Sequence, residues 1–417
     1  MNRRPSSSSR AAADPVAERV DAIVVGGGLV GLSIGLACAR AGLETAVIDR
    51  APAAALVEEA FDGRASAIAY AGCRALEGLG VWRHVAAAEP IREIRVTDDD
   101  SPLFLHYDHA EIGDAPFGYM VENRVMRRAL YAALAETPAL RLIAPAEVRR
   151  ASTGETAAEV DLGDGRRLAA PLLIAADGKG SPIRQAAGIR SFGWRYPQDG
   201  IVCTVAHERP HHGIAEERFL PAGPFAILPL TENRVSLVWT ERADLAPTIM
   251  ALDEAGFQAE LEARFGDYLG RLTPVGPRWR YPLAFHLAES YVRPRLALIG
   301  DAAHLIHPIA GQGLNLGLRD MAALAEVVAD AARLGLDIGA PTVLERYERW
   351  RRFDNLLLAG ITDGLNGLFS NRAEPLRLAR DLGLDMVNRL PPLKRFFMRH
   401  ARGTIGELPR LLKGEVL

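Results

Sequence analysis

Three glycines and an acidic residue near the start of the chain have a spacing that could hold a phosphate-bearing cofactor. The pattern Gly26-x-Gly28-x-x-Gly31 follows an apolar stretch and opens a helical one, and Asp49 ends the next apolar stretch. Such glycines let a turn and a helix N-terminus approach a pyrophosphate, while the acid accepts hydrogen bonds from ribose hydroxyls. An acid rather than a basic pair favours a ribose without a 2′-phosphate. We therefore predict a dinucleotide, FAD or NAD, on Gly26, Gly27, Gly28, Leu29, Val30, Gly31, Asp49 and Arg50.

A second glycine turn lies at residues 172–184, with the sequence LLIAADGKGSPIR. An apolar strand ends just before Asp177, and Ser181 followed by Pro182 is typical of a helix N-cap and first turn. Asp177 is either an acid that faces the cofactor or an ordinary turn residue, because aspartate is common in turns.

The third glycine turn is GDAAHLIHPIAGQGLNLGLRD at residues 300–320. It follows the apolar stretch 296–299, and the carboxylate of Asp301 could hold a polyol chain by its hydroxyls. The loop that follows, HPIAGQGLN at residues 307–315, would present backbone N–H groups at the start of a helix, which suits a ring that becomes anionic on reduction. We predict that this site uses Gly300, Asp301, Pro308, Gly311, Gln312, Gly313, Leu314 and Asn315.

The composition excludes several classes of protein. Apolar residues make up 49% and charged residues 24% of the 417 residues, as in a soluble globular protein. The net charge of −3 gives no reason to expect nucleic acid as a partner. Cys38, Cys73 and Cys203 lie far apart, which favours a reducing compartment over a disulfide framework. His304 and His307 lack an acid or cysteine that would complete a ligand set, so we predict packing or polar loop roles and no metal.

The glycine-bearing segments alternate along the chain with segments of β pattern. Residues 120–135 predict a helix that opens at Asn123, and residues 217–240 predict a β-hairpin. This alternation fits two interleaved domains better than two successive ones. We predict an α/β protein with a disordered leader, 1–19; a discontinuous Rossmann-type cofactor-binding domain, 20–75, 120–185 and 290–335; a β-sheet substrate domain, 76–119 and 186–289; and a helical C-terminal region, 336–417.

Apolar strands within residues 190–240 and 275–285 could wall a dry, elongated pocket, although a plain hydrophobic core would have the same pattern. No cluster of arginines marks a site for a carboxylate, which favours a neutral ring as substrate. The candidate wall residues are Trp194, Tyr196, Ile201, Val202, Val205, Phe219, Phe225, Ile227, Leu228, Trp239 and Tyr281.

Taken in order and spacing, GGGLVG with Asp49, ADGKGSPIR and GDAAHLIHPIAGQGLNLGLRD resemble the class A FAD-dependent aromatic hydroxylases. The segments YMVENRVMRRAL, GWRYPQDGIV and ERFLPAGPFAILPL resemble the branch of that family that hydroxylates ubiquinone precursors. The resemblance covers about residues 20–412. It implies a fold like that of p-hydroxybenzoate hydroxylase, with FAD as the cofactor.

The resemblance also implies roles for the residues already named. Gly26–Gly31 would bind the FAD pyrophosphate, and Asp49 would bind the adenosine ribose. Asp177 would be the acid of the family's DG motif, and Asp301 the acid beside the ribitol chain. The further implied contacts are Arg64, Asn123, Gly311, Gly313, Leu314 and Asn315, the last four meeting the flavin through their backbone.

The mechanism implied by the resemblance places the chemistry on the cofactor. Reduced FAD reacts with O₂ to a C4a-hydroperoxide that an electron-rich ring attacks, while the protein positions the groups and excludes water. The sequence identifies no catalytic base. It has no second GxGxxG, so NAD(P)H would bind without its own Rossmann unit, or a partner protein would supply the electrons.

The expected function is therefore FAD-dependent hydroxylation of a prenylated phenol in ubiquinone biosynthesis. Two alternatives from other classes stay open: an FAD-dependent prenyl reductase or halogenase, and a non-catalytic FAD-binding subunit of a quinone-synthesis complex. The C-terminal stretch 391–417 holds six basic residues beside Phe396, Phe397, Leu411 and Leu412. It either contacts an anionic membrane or forms a docked helix with a solvated basic face. We expect a cytoplasmic enzyme, with peripheral contact to the inner membrane and a quinone-biosynthesis complex as finer expectations.

Overall fold

A computed structural model of the chain describes residues 17–53, 61–98, 101, 104–307, 311–369 and 386–417. Residues 1–16 of the predicted leader, and Pro308 of the predicted flavin-facing loop, lie outside the described residues. The leader was predicted to extend to residue 19, but Glu18–Arg19 form a short strand that pairs in parallel with residues 168 and 169. This backbone pairing ends the leader earlier than predicted.

Strands make up four sheets in the described part of the chain. In chain order they are β1 (Glu18–Arg19), β2 (Ala22–Val25), β3 (Thr45–Ile48), β4 (Ala65–Ala69), β5 (Glu89–Ile91), β6 (Glu93–Asp98), β7 (Phe104–Asp108), β8 (Gly118–Glu122), β9 (Leu140–Ile143), β10 (Val148–Thr153), β11 (Ala158–Leu162), β12 (Arg167–Ala170), β13 (Leu172–Ala175), β14 (Ser191–His207), β15 (Ile214–Leu220), β16 (Gly223–Leu230), β17 (Arg234–Arg242), β18 (Leu272–Ala288), β19 (Val292–Arg293), β20 (Leu296–Leu298) and β21 (His304–Leu305).

Helices cover the faces of these sheets and form most of the C-terminal region. The described helices are α1 (Leu29–Arg40), α2 (Tyr70–Gly78), α3 (Asn123–Ala135), α4 (Pro182–Ala186), α5 (Ala246–Met250), α6 (Glu254–Phe265), α7 (Gln312–Arg333), α8 (Pro341–Phe369), α9 (Pro391–Ala401) and α10 (Arg410–Lys413). Among the described residues, no helix is long and apolar enough to cross a membrane.

A six-stranded sheet in the order β19-β20-β13-β2-β3-β9 brings the three glycine turns together. Strands β20, β13, β2, β3 and β9 pair in parallel, and every residue of β2 and β13 is buried. Burial on both faces explains why these strands are continuous apolar runs in the sequence. Because β20, β13 and β2 are neighbours, the turns that follow them lie side by side at the carboxyl edge, where ligands of such sheets bind.

An eight-stranded sheet in the order β21-β18-β14-β17-β16-β15-β6-β7 lies beside the first sheet. It contains the predicted hairpin, as β16 paired antiparallel with β17, and that prediction is confirmed. Helices α5 and α6 pack against the core of β14, β16 and β17 on one face. Smaller sheets, β1-β12-β11-β10 and β4-β8-β5, complete the described architecture.

The C-terminal region packs onto the cofactor-binding half. Helix α8 lies against α7, and α10 lies against α2 and α7. Leu411 and Leu412 of α10 are buried, and Arg410 pairs with Glu326 and Asp330 of α7. For α10 the docked-helix interpretation of the sequence is therefore the correct one.

Candidate cofactor and substrate site

The three glycine turns open on one cavity of about 740 Å³, a size common for small-molecule sites. Most of the residues predicted from the sequence line this cavity. They are Gly28, Leu29, Val30, Gly31, Arg64, Asn123, Gly300, Asp301, Gly311, Gln312, Gly313, Leu314 and Asn315.

In the first turn the glycines have different physical reasons for lacking a side chain. A Cβ at Gly26 would lie 2.3 Å from the Ala176 carbonyl oxygen, and one at Gly31 would lie 1.8 Å from the Gly26 oxygen. Those two positions are bare because protein backbone approaches them. A Cβ at Gly28 would meet no atom of the described residues within 4 Å, and Gly28 is the N-cap of helix α1 and lines the cavity. Gly28 is thus bare where a ligand can approach the helix N-terminus.

Asp49 lies against this turn and outside the residues that line the cavity. Its Oδ2 accepts a hydrogen bond from the Gly27 N–H at 2.5 Å, and its Oδ1 accepts one from the Ala51 N–H at 2.7 Å. Each oxygen keeps a further lone pair for a ribose hydroxyl. Gly26 and Gly27 are likewise absent from the lining, and the Arg50 side chain is exposed.

Asp177 and Asp301 follow neighbouring strands of the sheet. Ser181 caps helix α4 by accepting from the Arg184 N–H at 2.9 Å, which confirms the predicted cap. Asp177 accepts from the Ile183 N–H at 3.4 Å, while its Oδ1 is buried with no partner among the described residues. Burial raises the pKa of the Asp177 carboxyl. Asp301 opens into the cavity but is enclosed by protein on its other sides, and this enclosure raises the pKa of its carboxyl.

The third turn enters its helix earlier than the sequence indicated. We predicted a loop through Asn315, whereas helix α7 begins at Gln312 because Gly311, with φ of 61°, caps it in the left-handed conformation. The first turn of this 22-residue helix lines the cavity, so its free N–H groups and the positive end of its dipole are directed there. A Cβ at Gly313 would meet no atom of the described part of the chain within 4 Å.

The polar side chains at the rim are held by protein partners. The amide of Asn315 donates to the Ala67 oxygen at 3.0 Å and accepts from the Ala69 N–H at 2.8 Å, which ties α7 to β4. Asn123 accepts from the Ser66 hydroxyl at 2.7 Å. Arg64 pairs with Asp62 at 2.6 Å and leaves its side chain a third exposed. The amide hydrogens of Asn315 are therefore engaged by protein oxygens, while its Oδ1 keeps one lone pair.

Only three of the eleven predicted wall residues line the cavity, because residues alternate between the two faces of a strand. Val202, Leu228 and Tyr281 line the cavity. The other face carries Ile201, Val205, Phe225, Ile227 and Trp239, which form a core with α5 and α6. Phe219 packs in a third core, Trp194 is partly exposed, and Tyr196 is buried away from the lining. In β16 the sequence could not assign the faces because both are apolar.

Several cavity residues were missed by sequence reasoning. They extend the apolar wall, and all except Leu305 and Ile306 lie outside the glycine motifs: Ile91, Ile94, Phe117, Val238, Leu305 and Ile306. His304, predicted as a packing or polar residue, bonds through Nε2 to Asp320 at 2.5 Å. His307 is buried beside Tyr196, with ring centroids 5.1 Å apart. The described residues hold no cluster of three or more metal-ligating side chains.

These features fit FAD. Two helix N-termini, at Gly28 and at Gln312, open on the same cavity, and both favour an anionic group. Asp301 also lines the cavity and can accept hydroxyl donors there, whereas Asp177 is not among the described lining residues and holds its own turn through the Ile183 N–H. One end suits a pyrophosphate and the other a ring that gains negative charge on reduction.

Comparison with known proteins agrees with this chemistry. Residues 19–353 match the family model described as FAD binding domain. The chain is 52% identical to ubiquinone hydroxylase UbiL of Rhodospirillum rubrum, over 96% of this chain and 94% of that protein. It is 38% identical to 3-demethoxyubiquinol 3-hydroxylase of Escherichia coli, over 91% and 97%.

More distant proteins share the architecture. The mitochondrial ubiquinone biosynthesis monooxygenase COQ6 of Homo sapiens is 32% identical, over 91% of this chain and 92% of that protein. The crystal structure of p-nitrophenol 4-monooxygenase PnpA from Pseudomonas putida superposes with a TM-score of 0.78 at 20% identity, covering 94% of this chain and 100% of that one, which shows the common fold. By the family match and the relatives above 30% identity, this chain belongs to the class A FAD-dependent aromatic hydroxylases, in the ubiquinone-hydroxylase branch, and is an FAD-dependent monooxygenase.

Proposed function

We propose that this monooxygenase hydroxylates the aromatic ring of a polyprenylphenol intermediate of ubiquinone biosynthesis. The observation that carries the proposal is the apolar part of the cavity lining, where Val202, Leu228, Val238 and Tyr281 share one cavity with the N-terminus of α7. Apolar lining excludes water and favours a ring with a hydrocarbon chain. The names of the relatives support the same pathway.

The charges at the cavity favour a neutral ring over an aromatic acid. Arg64 is the single arginine among the described lining residues, and its guanidinium is paired with Asp62. A benzoate-type carboxylate would need an unpaired cation to offset its desolvation. Such a substrate would therefore bind poorly in this cavity.

In this proposal FAD is held by residues that line the cavity, together with Asp49 beside it. Gly28 and the first turn of α1 hold the pyrophosphate, Asp49 the adenosine ribose, and Asp301 the ribitol hydroxyls. Arg64 and Asn123 are further polar contacts of the cofactor, and Asp177 holds the second glycine turn through the Ile183 N–H. The backbone N–H groups that meet the flavin ring belong to Gly311, Gln312, Gly313, Leu314 and Asn315.

As a monooxygenase the protein uses a substrate, O₂ and a reduced electron donor. Bound FAD supplies the chemistry that splits O₂, so that one oxygen atom enters the ring and the other leaves as water. The first turn of α7 stabilises negative charge on the ring system, and the apolar wall orients the substrate and excludes water. We propose NAD(P)H as the donor, with an electron-transfer protein as the other candidate.

We also propose a peripheral membrane contact through helix α9, and membership of a quinone-biosynthesis complex. Phe396 and Phe397 are 50% and 37% exposed, and Arg395 and Arg399 are exposed beside them. Met398 and Lys394 face the protein, where Lys394 pairs with Glu111 at 2.6 Å. Aromatic residues flanked by cations suit an anionic membrane surface, where a prenylated substrate partitions.

Deletion of the gene, followed by mass analysis of the quinone pool, tests the proposed function. We expect one prenylphenol that lacks a ring oxygen to accumulate, and its structure identifies the carbon that is hydroxylated. The wild-type gene should restore the pool, whereas a Gly28→Val gene should not. A normal ubiquinone pool in the deletion strain, with no second homologue in the genome, would contradict the proposal.

A further inference from the structure

Asp320 lies within helix α7 with no exposed side-chain surface, yet its carboxylate is fully engaged. Its Oδ2 accepts from the Gly300 N–H at 3.1 Å and lies 2.5 Å from Nε2 of His304. Its Oδ1 accepts from Nε of Arg351 at 2.9 Å and from Nδ2 of Asn355 at 3.3 Å. Burial alone would raise the pKa of this carboxyl, but His304 and Arg351 lower it to about 2.

The two groups held by Oδ2 are the two ends of the turn that carries Asp301. Gly300 begins the turn Gly300–Ala302, and His304 begins strand β21, whose second residue, Leu305, lines the cavity. Asp320 itself lies eight positions beyond Gln312 on the same helix. Eight residues span about 12 Å of helix, so a rigid rod joins this carboxylate to the cavity-lining first turn.

The other oxygen of Asp320 is held from helix α8. Arg351 is 2% exposed and also donates to Asp354 at 2.8 Å and to the Asn355 oxygen at 2.7 Å. Asn355 in turn donates to the Tyr291 hydroxyl at 3.3 Å. A carboxylate with hydrogen-bond partners on both oxygens is held in one orientation. It therefore fixes the turn that carries Asp301 relative to helices α7 and α8.

We propose that Asp320 is a positioning residue for the cofactor: it fixes the turn Gly300–His304 relative to the first turn of α7 and so sets where Asp301 meets FAD. Asp320 does not itself line the cavity, so it acts through Gly300 and His304. The inference concerns FAD alone and does not depend on the identity of the aromatic substrate.

The test separates positioning from stability by removing the network without leaving a buried charge. Asp320→Leu with Arg351→Met replaces the ion pair by apolar side chains of similar size, a change that buried pairs often tolerate. We expect a melting temperature of the apoprotein near that of wild type, a flavin dissociation constant raised about 10-fold, and an altered visible circular dichroism of the bound flavin. A double variant whose melting temperature and flavin dissociation constant both equal those of wild type would overturn the proposal.

A second variant covers the case in which the apolar pair does not fold. Asp320→Asn keeps the shape and one acceptor for the Gly300 N–H but loses the charge that holds His304. We expect weaker flavin binding and a shifted dichroism band in this variant as well. Unchanged flavin binding and dichroism beside a lowered melting temperature would show a merely structural role and would overturn the proposal.

The control is an ion pair that does not touch the cavity. Asp337 pairs with the buried Arg295 at 2.6 Å, at the end of the sheet formed by β19 and β20. Asp337→Asn should lower the melting temperature and leave the flavin dissociation constant and dichroism unchanged. If it weakened flavin binding as much as the Asp320 variants do, general destabilisation would explain both effects.

Discussion

The glycines of residues 300–317 lack side chains for different reasons. Gly300 and Gly311 have positive φ, and Gly317 packs against Val30 of helix α1. Only Gly313 combines ordinary backbone geometry with open space beside the cavity. The sequence predicted that something approaches this backbone closely. It could not separate the ligand from neighbouring protein, because both leave the same residue type.

At Gly28 the structure allows a clean test of the phosphate turn. Gly28→Val places its Cβ where no atom of the described residues lies within 4 Å, and Gly28 has φ of −70°, which valine adopts. We therefore expect a folded protein that has lost nearly all of its flavin, because the side chain occupies the approach to the helix N-terminus. Absorbance of the purified protein measures the flavin content. Gly360→Val, at an exposed helical position with equal space, is the control and should keep one FAD per chain.

At the scale of elements, the buried parallel strands and their order of motifs were predictable, since continuous apolar runs and glycine turns mark them. The faces of the eight-stranded sheet were not predicted, because β16 is apolar on both faces. In β17 the alternation of Val235, Leu237 and Trp239 with Ser236 and Thr240 did mark the core face. Helices α5 and α6 decide which face becomes core, and their packing is set by contacts distant in sequence. The Asp320 network was missed for the same reason: its members come from segments far apart in the chain.

Helices α1 and α7 pack closely at Gly317, so we expect a side chain added there to destabilise the protein and a second substitution to restore part of the stability. A Cβ at Gly317 would lie 2.6 Å from Cγ2 of Val30, so Gly317→Ala should lower the free energy of unfolding by about 1–3 kcal/mol. Val30→Ala in the same chain removes the obstructing methyl groups and should recover part of that loss. Urea unfolding of both single variants and the double variant gives the coupling energy. Additive losses would show that the two helices do not meet at these residues.

The ion network of α7 and α8 also predicts a pH dependence. The Asp320 pKa is lowered to about 2, so its ionised form contributes stability above its unfolded value near 3.8, and this is lost as the pH falls toward 2. The shift corresponds to about 2 kcal/mol. The melting temperature of wild-type apoprotein should therefore exceed that of Asp320→Asn at pH 6, and the gap should narrow below pH 4.

Asp177 serves as a control because its pKa is shifted in the opposite direction to that of Asp320. Its pKa is raised by burial, so ionisation costs stability as the pH rises through its folded value. The melting temperature of Asp177→Asn apoprotein should rise relative to that of wild type as the pH increases. A wild-type advantage over Asp320→Asn that stays constant from pH 6 to pH 3 would refute the account of Asp320.

At the scale of the whole molecule, the C-terminal region combines docking with exposed apolar surface. Leu411, Leu412 and Met398 are buried, so removing the region would damage the core. Composition predicted a basic, aromatic stretch but could not show which side chains face inward. Those that face outward, Phe396 and Phe397, are the residues to change.

Phe396→Ser with Phe397→Ser should reduce binding to anionic vesicles several-fold, because the aromatic anchors are lost while Lys394 and Met398 keep the helix docked. Sedimentation with vesicles that contain phosphatidylserine measures the effect, and the melting temperature should be unchanged. Leu334→Ser with Leu336→Ser changes two other exposed apolar residues, 73% and 52% exposed, and should leave vesicle binding as in wild type. An equal loss of vesicle binding in both double variants would show that α9 has no special role in membrane contact.

The measurement that most directly tests the central claim is oxygen incorporation by the purified holoenzyme. The protein is mixed with a polyprenylphenol, NADH or NADPH, and ¹⁸O₂, and the product is analysed by mass spectrometry. A monooxygenase with this cavity should place one ¹⁸O atom on the aromatic ring and consume one reduced nicotinamide per product, and heat-inactivated enzyme should give none. A ring oxygen that carries no ¹⁸O, or reduction of the prenyl chain with the ring unchanged, would contradict the account.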